Sequence, residues 1–138
     1  NMRLVFWKLA LNNLWIENKI WLGVGTGDAQ DYIDNLYRLP EYKIDGYVGW
    51  NSHNQWVTTC IQQGILGLFV LTLLFAIPFQ LALKNRDVKL ISFLVVTFLF
   101  SLTESIFETN KGIVFFTLFF CLLVVRTDHS GKSKSTKL

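Results

Sequence analysis

The sequence predicts an all-α membrane protein, and its composition and the clustering of its apolar residues lead to that class. Of the 138 residues, 51% are hydrophobic and only 17% are charged. Aromatic residues make up 15%, and the mean hydropathy is +0.36. The apolar residues gather in long runs, which is typical of helices that cross a bilayer. A disordered chain and a disulfide-rich scaffold are both excluded by this composition.

Three apolar runs are the predicted membrane spans. An α-helix of about 20 residues crosses the roughly 30 Å hydrocarbon core, and the run 64–83 is uncharged over that length. The run 90–107 contains one charged residue, Glu104, and the run 112–125 is short for a span. We therefore expect a transmembrane part of three helices over residues 61–126.

The distribution of basic residues predicts the orientation of these spans. The net charge is +3, and the excess lies beside apolar runs rather than on a stripe typical of nucleic-acid binding. Basic residues follow the first and third runs: Lys84, Arg86, Lys89, Arg126, Lys132, Lys134 and Lys137. The positive-inside rule places them in the cytoplasm, with residues 1–60 in the periplasm of a bacterial inner membrane. The polar segment 127–138 is expected to be a disordered cytoplasmic tail.

The first 60 residues are expected to form a periplasmic loop that contains helices. An amphipathic helix is predicted over residues 2–17, with an apolar stripe formed by Leu4, Trp7, Leu11, Leu14 and Trp15. A glycine-rich turn at 23–28 follows, and Asp28 is placed to cap a short helix that reaches Arg38. Residues 39–52 are expected to form a loop. An amphipathic start cannot insert itself into a membrane, so we expect this chain to be the C-terminal part of a longer polytopic protein.

The strongest motif is His53-Asn54, followed after nine residues by Gly64-x-x-Gly67. The two glycines would lie on one helix face and allow close helix approach. Imidazole titrates near neutral pH, so His53 could accept a proton from a hydroxyl. The plainer alternative is a hydrogen-bonded histidine at the membrane interface, without a role in chemistry.

This motif resembles the hallmark of the O-antigen ligase family, which also includes O-antigen polymerases. Arg3-x-x-x-Trp7 is similar to that family's periplasmic Arg–Trp helix signature, and residues 22–27 (LGVGTG) resemble its Gly-x-Gly turn. The three motifs occur in the family's order, over roughly residues 1–125. The resemblance implies the C-terminal third of a GT-C-like polytopic fold.

The resemblance also implies an activity, which is the transfer of a glycan from an undecaprenyl-diphosphate carrier to an acceptor hydroxyl at the periplasmic face. The acceptor is the lipid A-core in ligases, another glycan in polymerases and a protein hydroxyl in the related oligosaccharyltransferases. The reaction is taken to be inverting, with no metal and no other cofactor. The implied partners are this lipid-linked glycan, the acceptor and the bilayer, without nucleic acid.

Two arginines are candidates for binding the diphosphate. Arg3 could provide a permanently charged, bidentate contact, or it could only anchor its helix at the interface. Arg38 is a second candidate cation, although a solvated loop charge is the favoured interpretation. With His53 as the base, Arg3 is the second predicted catalytic residue.

Further candidate substrate contacts are Asn54, the glycines of the turn and Glu104. The N–H groups near Gly25 and Gly27 could cradle a phosphate, although a tight turn between helices is favoured. Glu104 is the one ionisable residue well inside an apolar run, and it could contact His53 or Arg3 or simply reach the interface. A cluster of acidic residues is expected to be a solvated helix face rather than a metal site: Asp28, Asp31 and Asp34.

A non-catalytic membrane scaffold or transport subunit is the competing function. It accounts for the hydrophobic composition but not for the order of the three motifs. Substitution of His53 separates the two hypotheses, because a scaffold tolerates alanine there and a transferase does not.

Overall fold

The described part of the chain is all-helical, as predicted. A computed structural model describes residues 2–38, 49 and 51–135, and no strand occurs within these ranges. The elements are α1 (Met2–Ile16), α2 (Ala29–Tyr37), α3 (Gln55–Asn85), α4 (Val88–Ser101), a 3-10 turn (Ile106–Glu108) and α5 (Asn110–Ser135). The loop expected over 39–52 lies largely outside the described residues.

The chain divides into two compact units. The N-terminal unit contains Asn1–Leu71 together with Leu102–Ser105, and the C-terminal unit contains Thr72–Ser101 and Ile106–Leu138. The short segment 102–105 therefore belongs to the N-terminal unit, although it is far away in sequence.

The core of the N-terminal unit lies between α1, α2 and the start of α3. Phe6, Ala10 and Leu14 recur every four residues along one face of α1 and are all buried. They pack with buried residues of the other two helices: Ala29, Ile33, Leu36, Tyr37, Cys60 and Ile61. The Phe6 and Tyr37 rings stack with centroids 4.8 Å apart.

The predicted apolar stripe of α1 was wrong, although the bounds of the helix were nearly right. Leu4 and Trp15 are 58% and 68% exposed, and of that stripe only Leu14 is fully buried. Helix α1 carries apolar side chains nearly all the way round, so periodicity alone does not identify the buried face. The face that is buried against α2 and α3 includes the small residue Ala10 and the ring of Phe6, which stacks on Tyr37.

Helix α3 contains a sharp break at Gly64. This residue has φ 64° and ψ −156°, so a short first segment, 55–63, precedes a long apolar one, 65–85. The predicted first span, 64–83, corresponds to the second segment. Pro78 lies inside this segment without ending it.

The predicted second span was wrong in its length. Helix α4 ends at Ser101, and residues 102–105 leave the helix before the 3-10 turn. Among the described residues, two helices are long and apolar enough to cross a membrane, α3 and Asn110–Thr127 of α5. The predicted third span was too short, because α5 begins earlier and ends later than 112–125. Helix α4 is a shorter apolar helix.

Phenylalanine rings contribute to the contacts between the helices of the C-terminal unit. Phe93 stacks on Phe116 at 5.7 Å between centroids, and Phe75 meets Phe98 edge-on at 5.8 Å. The backbone of α5 is helical to Ser135, within the segment 127–138 for which the sequence predicted disorder. Residues 136–138 lie outside the described residues.

Candidate functional site around His53

His53 lies in a constrained turn immediately before α3. Its φ is +49°, a backbone conformation that residues other than glycine rarely adopt. The side-chain oxygen of Asn51 accepts the backbone N–H of His53 at 2.9 Å, which stabilises this turn. The turn therefore fixes the direction in which the imidazole leaves the backbone.

The structure brings His53 and Glu104 together. The distance from His53 Nδ1 to Glu104 Oε2 is 3.3 Å, and the two side chains are 26% and 45% exposed. The sequence placed Glu104 within the predicted span 90–107 and left open a contact with His53, with Arg3 or with the interface; the helix does not extend to Glu104, and the contact with His53 is the one that occurs. Glu104 lies in the non-helical segment 102–105, because the predicted helix stops at Ser101.

Asn54 holds the Glu104 segment against the start of α3. Its side-chain oxygen caps α3 by accepting the N–H groups of Trp56 and Val57 at 2.9 and 3.0 Å. Its side-chain nitrogen donates to the carbonyl of Leu102 at 2.9 Å. This buried amide uses both ends within the protein, so the structure gives Asn54 a positioning role; contact with a substrate stays a prediction.

A buried chain of hydroxyl groups adds a second connection beneath His53. Ser52 Oγ lies 2.6 Å from Thr58 Oγ1, which lies 2.9 Å from Ser105 Oγ. Trp7 of α1 donates its indole N–H to the Ser52 carbonyl at 2.9 Å. The residues on both sides of the His–Glu pair are thus tied to the core of the unit.

These hydroxyl residues were missed by sequence reasoning. The capping role of Asn54, which the sequence had named only as a substrate contact, was missed as well. A polar residue just before an apolar helix is a capping signal, which could have identified Asn54 as the N-cap. No local pattern links Ser105 to Thr58, which lies 47 residues earlier.

The two candidate arginines are exposed and do not join the His–Glu pair. Arg3 lies in the first turn of α1, one turn before Trp7, and Arg38 is the C-terminal cap of α2. Within the described part of the chain, neither side chain forms a hydrogen bond or an ion pair with His53 or Glu104.

The glycine-rich turn crosses the break in α3 and exchanges hydrogen bonds with it. The N–H groups of Val24 and Gly25 donate to the carbonyls of Ile61 and Gln62 at 2.8 and 2.9 Å. These carbonyls lose their helical partners at the break, so the turn satisfies them. The N–H of Gly25 is therefore engaged by the protein, which favours the tight-turn interpretation over a phosphate cradle.

The exchange also runs in the opposite direction. The N–H groups of Ile65 and Leu66, at the start of the second segment, donate to the carbonyls of Ile20 and Trp21 at 2.9 and 3.3 Å. A Cβ at Gly64 would clash with the Trp21 carbonyl, and one at Gly23 would clash with the Gln62 backbone. Both glycines also have positive φ.

The glycines of the His motif thus have a different role from the one predicted. Gly64 permits a backbone crossing within the N-terminal unit, whereas the sequence suggested a smooth helix face shared with Gly67. A Cβ at Gly67 would clash with the Gln63 side chain, since the break brings that residue close. Gly27 is exposed and lies in open space, so it remains a predicted substrate contact.

The acidic cluster contributes to local structure. Asp34 Oδ1 accepts hydrogen bonds from Gln30 Nε2 at 2.9 Å and from the Gly49 N–H at 2.8 Å. Asp28 occupies the predicted N-cap position of α2, but its side chain makes no capping hydrogen bond. Across the described residues, no group of three potential metal ligands is gathered in one place.

Comparison with known proteins finds no matching family model, no matching curated protein and no matching solved structure. The resemblance to O-antigen ligases therefore rests on the motif residues themselves.

Chemically, the site offers an imidazole whose Nδ1 faces a carboxylate, at a partly exposed position. Such a pair can orient a histidine for proton transfer.

Proposed function

We propose that this chain is the catalytic C-terminal region of an O-antigen ligase-like glycosyltransferase. The reaction is the transfer of a glycan from undecaprenyl diphosphate to a hydroxyl of the lipid A-core. The observation that carries the proposal is the His53–Glu104 contact, because His53 belongs to the family-like motif and receives a partner suited to a general base. In this proposal α4 also crosses the membrane, between α3 and α5 in the chain, and residues 1–60 face the periplasm of a bacterial inner membrane.

The carboxylate of Glu104 determines which imidazole nitrogen acts as the base. When the Nδ1–H donates to Glu104, the lone pair lies on Nε2. Nε2 accepts the proton of the acceptor hydroxyl while its oxygen forms a bond to the anomeric carbon. The bond between that carbon and the diphosphate oxygen breaks, and the diphosphate leaves with the electron pair. The imidazolium that forms is stabilised by the negative charge of Glu104.

Arg3 is the proposed contact for the departing diphosphate. It lies one helical turn from Trp7, and the indole of Trp7 donates to Ser52, the residue before His53. Helix α1 is therefore connected to the turn that carries the base. The exposed guanidinium of Arg3 can form a bidentate contact with phosphate oxygens.

The test is complementation in bacteria that lack their own ligase. The complete reading frame that encodes this chain is expressed as wild type, His53→Ala, Glu104→Gln and the matched control His129→Ala. Lipopolysaccharide is compared on gels after membrane levels have been equalised. We expect a glycan ladder from wild type and control, and a loss of about 100-fold or more for His53→Ala. Glu104→Gln should reduce transfer by about tenfold, because the amide can still position the ring.

A ladder from His53→Ala equal to wild type would contradict the assignment of the base. If wild type itself gives no ladder, the lipid A-core is not the acceptor. A polymerase assay or a protein-glycosylation assay then separates the other two activities of the family.

A non-catalytic scaffold or transport subunit is supported by one different observation. Trp7, Asn54 and Gly64, all residues of the family-like motifs, have clear structural roles in the N-terminal unit. A protein that only needs this packing would retain function in His53→Ala. The same complementation therefore distinguishes the two functions.

A further inference from the structure

A polar cluster lies where the helices of the C-terminal unit end, and Asp87 is at its centre. Asp87 Oδ1 caps α4 by accepting the N–H groups of Lys89 and Leu90 at 3.0 and 3.2 Å. Arg126 Nη2 lies 2.7 Å from both carboxylate oxygens, and Thr127 Oγ1 donates to Oδ2 at 2.7 Å. The carboxylate is 10% exposed. One side chain thus joins the start of α4 to α5.

The same residues line an open cavity of about 340 Å³. Its lining consists of Asn85, Arg86, Asp87, Val88, Lys89, Arg126 and Thr127. Asp87 neutralises Arg126, which leaves the charges of Arg86 and Lys89 uncompensated by any ion pair within the described part of the chain. Both side chains are exposed. The cavity therefore carries an excess of positive charge and suits an anion.

The level of this cavity along the helices indicates which anion it meets. The long apolar helix α3 ends at Asn85, and the apolar part of α5 that could cross a membrane ends at Thr127. Residues from both ends line the cavity. Phospholipid phosphates lie where membrane helices leave the hydrocarbon core. Exposed apolar side chains flank the site, including Leu83, Val88 and Val125.

We propose that this cavity binds the phosphate of an anionic phospholipid, with Arg86 and Lys89 as the contacting cations. Basic pockets between the ends of membrane helices are suited to lipid headgroups, and each cation near an anionic surface strengthens the binding. Asp87 and Arg126 hold the two helix ends together and form the wall of the site. This inference does not depend on the proposed glycosyl transfer.

The test measures lipid retained by the purified 138-residue chain. The chain is placed in nanodiscs of phosphatidylcholine mixed with phosphatidylglycerol, and bound lipids are counted by native mass spectrometry after release. The test variant is Arg86→Asn with Lys89→Gln, since asparagine tolerates the positive φ of position 86. The matched control, Lys8→Gln with Lys111→Gln, removes two exposed cations elsewhere. Helical content and thermal unfolding are recorded for all three proteins.

We expect wild type and control to retain phosphatidylglycerol selectively, and the test variant, which lacks two cations, to bind it about 30-fold more weakly. Equal retention by the test variant and wild type would overturn the proposal. An equal loss in the control would also overturn it, since it would show a general charge effect. Competition by inorganic phosphate alone, without preference for the lipid, would assign the site to a free anion instead. If the test variant unfolds, a charge-preserving pair, Arg86→Lys with Lys89→Arg, must retain binding for the proposal to stand.

Discussion

The two units of this protein differ in where their buried apolar side chains gather. In the N-terminal unit, Phe6, Leu14 and Ile33 are buried in one core formed by three helical segments. In the C-terminal unit, large apolar residues such as Val96, Val114 and Leu122 are 60% or more exposed. Contiguous exposed apolar surface indicates contact with a membrane or a partner. The N-terminal unit thus has a core shared by three helical segments, although Trp15, Ile16 and Trp21 are exposed on it, whereas many large apolar side chains of the C-terminal helices face outward.

The units also differ in how polar groups are satisfied. The N-terminal unit breaks a helix at Gly64 and pairs the freed backbone groups with the turn at residues 20–25. In the described part of the C-terminal unit, the ion pair is formed by Asp87 and Arg126, which lie at the ends of the apolar helices. Backbone breaks are tolerated where protein groups replace the lost hydrogen bonds. The break therefore occurs in the unit that has a neighbouring segment to supply them.

The largest expected effect comes from adding one carbon at the break in the N-terminal unit. Gly64→Ala should lower the free energy of unfolding by about 3 kcal/mol or more, because its Cβ clashes with the Trp21 carbonyl and its φ is positive. Gly27→Ala is the matched control and should change it by less than about 0.5 kcal/mol, since that position is open. Denaturant unfolding in mild detergent measures both. A tolerated Gly64→Ala would contradict the backbone crossing.

A pair of leucines tests the difference in burial directly. Leu14→Ala should cost about 3 kcal/mol, because it leaves a cavity in the core. Leu122→Ala, at a 60% exposed position, should cost less than about 0.5 kcal/mol in detergent. Both values come from the same unfolding measurement. Equal costs would mean that the C-terminal helices pack as tightly as the N-terminal core.

The smallest expected effect concerns the ion pair of the C-terminal unit. The hydrogen bond from Arg126, together with those from Thr127 and from the Leu90 backbone, lowers the pKa of Asp87 from its usual 3.8 to about 2. Because the folded-state pKa is lowered, this stabilisation is present above the usual carboxyl range and is lost as the pH falls through about 2. Arg126→Gln should cost about 1 kcal/mol or less near neutral pH and should weaken this acid dependence.

Unfolding followed as a function of pH, with Lys111→Gln as control, measures that effect. The control should retain the wild-type acid dependence, since Lys111 is not a partner of Asp87. An unchanged acid dependence in Arg126→Gln would show that the arginine does not set the ionisation of Asp87.

Much of the helical organisation could be predicted from local patterns. The ends of α1 and α2 follow from apolar spacing and from the residues at 23–28, and the first long apolar run corresponds to the second segment of α3. The buried face of α1 could not be predicted, because apolar residues surround that helix. The end of α4 at Ser101 was also missed, since the apolar run continues beyond it. Just after this end, the side-chain N–H of Asn54 donates a hydrogen bond to the carbonyl of Leu102, which lies 48 residues away in the chain.

The residues of the candidate site could be named from the sequence, and the contact of Glu104 with His53 was one of several alternatives that the sequence left open. His53 follows from its spacing to Gly64 and Gly67, and Glu104 from its position within an apolar run. Their contact depends on Asn54 and Ser105, whose partners are distant in sequence.

Composition, periodicity and charge thus determined the all-helical class and the two long apolar helices, because these properties are set by neighbouring residues. The tertiary structure alone decided the break at Gly64, the buried face of α1 and the 3.3 Å approach of His53 to Glu104. Each of these depends on a segment that supplies a hydrogen bond or a packing surface from elsewhere in the chain. Such pairing over long sequence separations leaves no periodic signal in the residues themselves.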